Sequence, residues 1–208
     1  MPAVGYDNQA SITGTGVTSL DVTITVGSNA DRAAIIGLSM DGAAGSGITY
    51  TLGGVAAVAI PGTFSSNVLT AAVTAPPSGS QTAHSQWTGA ANAVLGVLTF
   101  YNVNQNTPTN NGTVSASAGT GTTSSITVTS NSGDLTVDHC FVTARTLSAN
   151  TQNLGYNTAN GALVAGGSTY GPGTGTSTHQ WTLSAGSGGR SDGVNMVQQD
   201  DLMPQAVL

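Results

Sequence analysis

Lysine and glutamate are absent from the 208 residues; the charge is carried by Arg32, Arg145, Arg190 and nine aspartates. A chain so poor in cations, with net charge −6, lacks the clustered Lys and Arg on which nucleic acids and anionic membranes depend. Neither is expected as a partner. The missing Lys and Glu also remove strong helix formers, while Thr, Val, Ser and Gly abound, so strands and turns are expected in place of helices. Cys140 is alone, which excludes an intrachain disulfide framework and leaves a small buried thiol as the expectation. The longest apolar runs, AAIIGL and VAAVAI, fall short of the roughly 18 residues a membrane helix requires. The opening MPAVGYDNQ has no basic segment followed by an apolar one, so synthesis in the cytoplasm without an export signal is expected.

What is present points to a folded chain. Hydrophobic residues make up 38% and fall in short regular runs, unlike the composition of disordered segments. A chain of this length buries roughly 70% of its unfolded surface, enough for a substantial core. Alternation marks individual strands: SLDVTITV places Leu20, Val22, Ile24 and Val26 on one face, and SITVT does the same with Ile126 and Val128. Each leads through a turn and an aspartate, Asp31 or Asp134, into a second strand, RAAIIGLSM or LTVDHCFVTA. Asp at such strand entries bonds the turn backbone.

The echo extends further. NVLTAAVTAPPSGSQTAHSQWT, residues 67 to 88, matches GALVAGGSTYGPGTGTSTHQWT, residues 161 to 182: strand, Pro and Gly turn, then a strand ending Gln-Trp-Thr. The halves run over about 14–101 and 119–198, joined by the polar, turn-forming NVNQNTPTNNGTVSASA. A period of about 100 residues is too long for a solenoid. A lone half would leave one sheet face wet, so the halves are expected to share one core. The fold class that follows is all-β: an antiparallel β-sandwich of jelly-roll type with an internal two-fold repeat, a single domain over 1–198 and a C-terminal arm over 199–208. Two small sandwiches in tandem are the alternative.

Candidate chemistry is sparse. Strand phase puts His179, Trp181 and Leu183 on one face, whereas Trp87 shares its face with Ala83 and Ser85 while His84 points the other way. The repeat keeps the indole and lets the histidine slip, which fits a core plug better than a catalytic pair. Asp138 and His139 are adjacent and so face opposite ways, and no G-x-S-x-G elbow occurs; a half-buried strand histidine is expected. Nine scattered Asp residues do not suggest a glycosidase pair. No zinc or EF-hand spacing is present, although the loop SMDGAAGSG offers Asp41 and carbonyls to a calcium ion. Gly14-Thr15-Gly16 and Gly173-Thr174-Gly175 read as turns, since no helix follows to complete a phosphate cradle. No catalytic residue, metal ligand or cofactor is assigned. Tyr6, Tyr50, Tyr101, Tyr156 and Tyr170 are the remaining candidates for a surface that stacks on sugars.

An uncharged surface of Thr, Ser, Asn and Gln does little to keep sheet edges from pairing, so a homo-oligomer or docking onto a larger assembly is expected. The terminal QQDDLMPQAVL reads as an extended arm whose contacts would come from Asp201, Leu202, Met203, Pro204, Val207 and Leu208.

The runs GSNADRAAIIGLSM, TAPPSGSQTAHSQWTGAANAVLGVLTFYNVNQNTP and SGDLTVDHCFV resemble a Gly/Thr/Ser-rich β-sandwich module of phage virion proteins and bacterial surface proteins. The resemblance is one of pattern, spans most of residues 10 to 185, and brings no functional residues with it. It implies a structural or attachment role: a capsid decoration or cement protein, or a fibre or tail subunit, made in the host cytoplasm and docked on itself and on a major capsid or tail protein. A surface adhesin or carbohydrate-binding module outside the cell, with a glycan as partner, is the alternative.

Overall fold

The computed structural model describes residues 2–41, 47–61, 63, 68–114, 121–149, 151–186 and 189–199. The protein is all-β, with antiparallel sheets packed face to face and no helix among the described residues. The first half contributes β1 (Gly5–Val26), β2 (Ala33–Met40), β3 (Thr49–Leu52), β4 (Val55–Ala56), β5 (Val58–Ala59), β6 (Val68–Thr74) and β7 (Gly79–Tyr101). The second contributes β8 (Thr109–Val114), β9 (Thr123–Ser130), β10 (Leu135–Thr143), β11 (Leu147–Ala149), β12 (Asn153–Asn160), β13 (Val164–Pro172), β14 (Gly175–Leu183) and β15 (Arg190–Met196).

The apolar runs of the sequence are short, but β1 and β7 run 22 and 23 residues and pair along their whole length. They bend together where the register shifts between Gly14 and Ser19, and Gly16 and Gly89 take positive φ there, a backbone state that glycine enters without steric cost. Gly14-Thr15-Gly16 therefore lies within a bent strand. Past the bend, β7 exchanges one neighbour for another: Ala83–Gln86 pair with β3, Ala93–Phe100 with β2. One sheet thereby folds over on itself, and Trp87, Leu20 and Ile24 of one layer meet Ile36, Leu38 and Leu95 of the other in a core built wholly from the first half.

The second half forms two sheets. The order β12-β13-β10-β15-β8 makes an inner one and β11-β14-β9 an outer one, with Cys140, Val142, Trp181 and Leu183 packed between them. The expectation of one shared core is thus corrected. Each half closes a core of its own, and a third cluster joins them where Ile35, Leu98 and Phe100 meet Val137, Phe141, Tyr156 and Met196. Four layers result, and the two inner ones are covered on both faces. That is why every residue of β2, and all of β10 up to Val142, is buried, while β9 alternates strictly between exposed and buried.

The two inner layers approach closely at one spot. Gly37 and Gly96 are register partners on β2 and β7; a Cβ on the first would lie 2.4 Å from the His139 ring and one on the second 2.0 Å from the Tyr156 ring. The paired glycines make a flat place in one layer where two rings of the other seat. The segment read as linker also proves structured in part, since Thr109–Val114 forms β8 on the edge of the inner sheet beside β15. Its polar sequence carried no strand period.

Candidate functional site

The inner sheet of the second half concentrates the buried polar groups of the described chain. On the face of β10 turned to the outer sheet, Asp138 receives three hydrogen bonds: Thr169 donates its amide N–H at 2.7 Å and its hydroxyl at 2.8 Å to Oδ1, and Trp181 donates Nε1–H at 2.6 Å to Oδ2. His179 stands 3.8 Å from the same carboxylate, with Nδ1 2.7 Å from Thr169 Oγ1 and Nε2 3.0 Å from Thr136 Oγ1. Thr136 gives its own proton to the Gly171 carbonyl, so its oxygen accepts from Nε2–H. Thr169 has one hydroxyl proton to share between Asp138 and His179. Moving that proton onto Asp138 while the Nδ1 proton of a protonated His179 passes to Thr169 Oγ1 converts an ion pair to a neutral pair without moving a heavy atom. Burial favours the neutral pair: it pushes Asp138 up, against the pull of His179, Thr169 and Trp181, and pushes His179 down.

On the opposite face, turned to the first half, His139 bridges two hydroxyls, Tyr156 at 2.5 Å from Nδ1 and Ser39 at 3.0 Å from Nε2. Burial holds the Tyr156 phenol well above its usual range and pushes His139 down to about 3. A protonated phenol donates to Nδ1, so the neutral ring carries its proton on Nε2 and donates to Ser39. The sheet phase expected for Asp138 and His139 is found, each on its own face of β10. The expected half-burial is not: His139 is 2% exposed, because a second sheet covers the face read as open. Asp192 of β15 completes the set. Thr70 donates to its Oδ2 at 2.5 Å, Oδ1 is buried without a hydrogen-bond partner, and desolvation pushes the carboxyl well up.

These groups have the composition of a nucleophile, a base and an acid, and they lie buried between packed layers. Ser39 approaches His139 as a nucleophile approaches its base, but the other ring nitrogen meets a phenol, and no carboxylate orients it. Ser39 and His179 are each 0% exposed, so no solvent or substrate reaches either histidine in this conformation. Trp181 is likewise 0% exposed and Trp87 3%, the inward placement their strand phases implied. The Cys140 thiol lies buried in the same interlayer space, pushed up by desolvation.

No protein-family model and no curated protein matches the chain. The site is read on its geometry.

Among the remaining candidates, Asp134 caps its turn by accepting from the Asn131 amide at 2.9 Å, and also accepts from the Gln198 amide at 2.8 Å, tying the last strand to the turn. Asp31 takes positive φ at its turn. Asp41 accepts from the Asn92 amide and side chain at 2.9 and 2.6 Å; the rest of its proposed calcium loop, 42–46, lies outside the described residues. Among the described residues no group of three His, Cys, Asp or Glu is placed to hold a metal. Gly173-Thr174-Gly175 joins β13 to β14 as a turn. The arm residues Asp201, Leu202, Met203, Pro204, Val207 and Leu208 lie outside the described residues. Sequence reasoning missed Ser39, Thr169 and Asp192, whose partners stand 100, 31 and 122 positions away with no local signal to pair them.

The outer surface has its own pattern. The exposed large apolar residues of the described chain are Ile12, Val58, Leu154 and Leu163. Val58 and Leu154 lie on edge strands β5 and β12, Leu163 in the turn that leaves β12, and Ile12 on the part of β1 that borders the inner layer. Strands β4, β5, β8, β9, β11 and β12 contain no charged residue at all.

Proposed function

We propose that the protein is a non-enzymatic structural component of a virus particle, a phage capsid decoration or cement protein or else a fibre or tail subunit. It acts through multivalent contacts with its own copies and with a major capsid or tail protein. The observation that carries this reading is that Val58 and Leu154, the two most exposed large apolar side chains of the described residues, lie on edge strands β5 and β12 that contain no charged residue. Proteins that stay single protect such edges with charge, proline or a covering element; an edge left apolar and neutral is suited to a neighbour. Spread over a repeated lattice, many weak edge contacts add through effective concentration. The buried His and Asp groups fit the same role, since they tie layers together.

The halves, we further infer, descend from one duplicated jelly-roll motif. The inner order β5-β6-β2-β7-β1 corresponds strand for strand to β12-β13-β10-β15-β8, and the outer β3-β7-β1 to β11-β14-β9, with β1 and β7 each counted in both layers. The hairpin strands that run through both layers in the first half are divided in the second. Made in a host cytoplasm and carried outside on the particle, such a protein requires no disulfide, in keeping with its lone buried Cys140.

Mass spectrometry of purified particles from the source of this chain tests the proposal. Recovery at a copy number comparable to the capsid or tail protein supports it; absence from intact particles overturns it.

A further inference from the structure

Tyr170 and Tyr6 stack face to face, centroids 4.2 Å apart and planes 8° from parallel. Tyr6 in turn sets its ring at 70° to Phe100, centroids 6.2 Å apart, and Phe100 is core, 1% exposed. The three rings form a column rooted in the contact between the halves. Its outermost member, Tyr170, lines a surface depression of about 460 Å³ together with Asn153, Ser132, Thr174 and Gly171 and with the apolar Val4 and Pro172, a volume within the range of small-ligand sites. Asn153 is the direct register partner of Tyr170 across β12 and β13, so amide and ring stand side by side on one face. Asp134 also borders the depression, but its oxygens already accept from Asn131, Asn195 and Gln198; it braces the floor.

We propose that this depression is a carbohydrate subsite for a neutral hexopyranose, whose C–H face packs on Tyr170 while its hydroxyls meet the Asn153 amide and the Ser132 and Thr174 hydroxyls. The ligand class follows from the chemistry of the lining. No Arg borders the depression and the chain has no Lys, which removes phosphorylated, sulfated and sialylated ligands for want of a countercharge. Amide and hydroxyl groups both donate and accept, as sugar hydroxyls do. A ring already held on one face by Tyr6 offers its remaining surface with little ordering left to lose on binding. An extended peptide, the competing occupant, would draw on an open strand edge; Tyr170 lies on β13, which is paired on both sides by β10 and β12. The inference stands independently of the virion reading, since a sugar subsite suits a particle that meets a glycan-coated cell and equally a surface adhesin.

Saturation-transfer NMR on the full chain with a panel of methyl hexopyranosides and their short oligomers tests it, followed by calorimetric titration of the strongest binder. Expected are saturation transfer to the sugar C–H protons, a loss of affinity of about tenfold or more in Tyr170→Ala, and near-parental affinity in Tyr170→Phe, which keeps the ring. Thr174→Trp fills the depression from the turn after β13 with the three ring residues unchanged, and abolishes binding while leaving the unfolding midpoint in place, which separates loss of the site from loss of the fold. The inference is overturned if no neutral saccharide of the panel binds at tens of millimolar, if only charged sugars or peptides bind, or if affinity survives both Tyr170→Ala and Thr174→Trp.

Discussion

The Trp181 indole donates its N–H to the Asp138 carboxylate at 2.6 Å in a space closed to solvent, whereas the Trp87 indole nitrogen is buried without a hydrogen-bond partner. The strand of the first half that packs against Trp87 presents Ala34, Ile36, Leu38 and Met40, a row with no carboxylate. Two tryptophans that look equivalent in sequence therefore carry different energies. Trp181→Phe strands an Asp138 oxygen, and Trp87→Phe removes a donor that had nothing to bond. Urea unfolding should find the first costlier by about 1–2 kcal/mol; equal costs would show that the indole bond contributes nothing net.

Acid should unfold the protein through His139. Its folded value, about 3, lies below the ordinary 6.5, so its contribution is complete above pH 6.5 and is lost as pH falls toward 3, amounting at the bottom to about 5 kcal/mol. Asp138 and Asp192 act in the reverse sense, because burial raises both above 3.8: their contribution is present below that value and fades as pH rises. Midpoints of urea unfolding against pH should show a shallower loss between pH 6.5 and 3 in His139→Gln than in the parent.

The two buried acids should separate on substitution by asparagine. Asp138 is held by three donors, and an amide in its place turns N–H groups toward N–H groups, costing about 2–3 kcal/mol. Asp192 has one hydroxyl donor and an oxygen without a partner, so Asp192→Asn should hold or raise stability at pH 8, where the parent carries the burden of a desolvated acid. Thermal unfolding of both variants at pH 8 decides it.

Gly96→Ala should separate the halves. The added methyl would meet the Tyr156 ring at 2.0 Å, in a contact between layers already closed on both sides, and a cost of about 3 kcal/mol is expected. Tyr156→Ala in the same chain should recover part of it. A double-mutant cycle on unfolding free energies measures that coupling, and additive losses would mean the glycine serves the strand alone.

Charge on an edge should oppose assembly. Leu154 is 53% exposed on β12, and Leu154→Lys places a cation where the strand has none. Light scattering at rising concentration should show the parent associating and the variant remaining smaller, with an unchanged unfolding midpoint.

Some of this was legible in the residues. Strict alternation in SLDVTITV and SSITVTS predicts strands with one wet face, and those strands do form outer layers. RAAIIGLSM and NAVLGVLTF are largely apolar and do not alternate, each strand broken inside by a single hydroxyl, Ser39 or Thr99, the mark of strands covered on both sides, and both lie inside. LTVDHCFVTA hid the same position, because Asp138 and His139 interrupt its apolar run and the strand reads as half-buried until their partners are known.

The residue pattern alone decided that the chain is all-β and that both indoles point inward, since strand phase and backbone preference act over a few neighbouring positions. Only the tertiary structure decided that four layers stack around three cores, that Gly37 and Gly96 open a seat for His139 and Tyr156, and that Tyr6 meets Tyr170. Those outcomes depend on which sheet covers which face. A face has no sequence signature until its partner, about a hundred residues away, is folded against it.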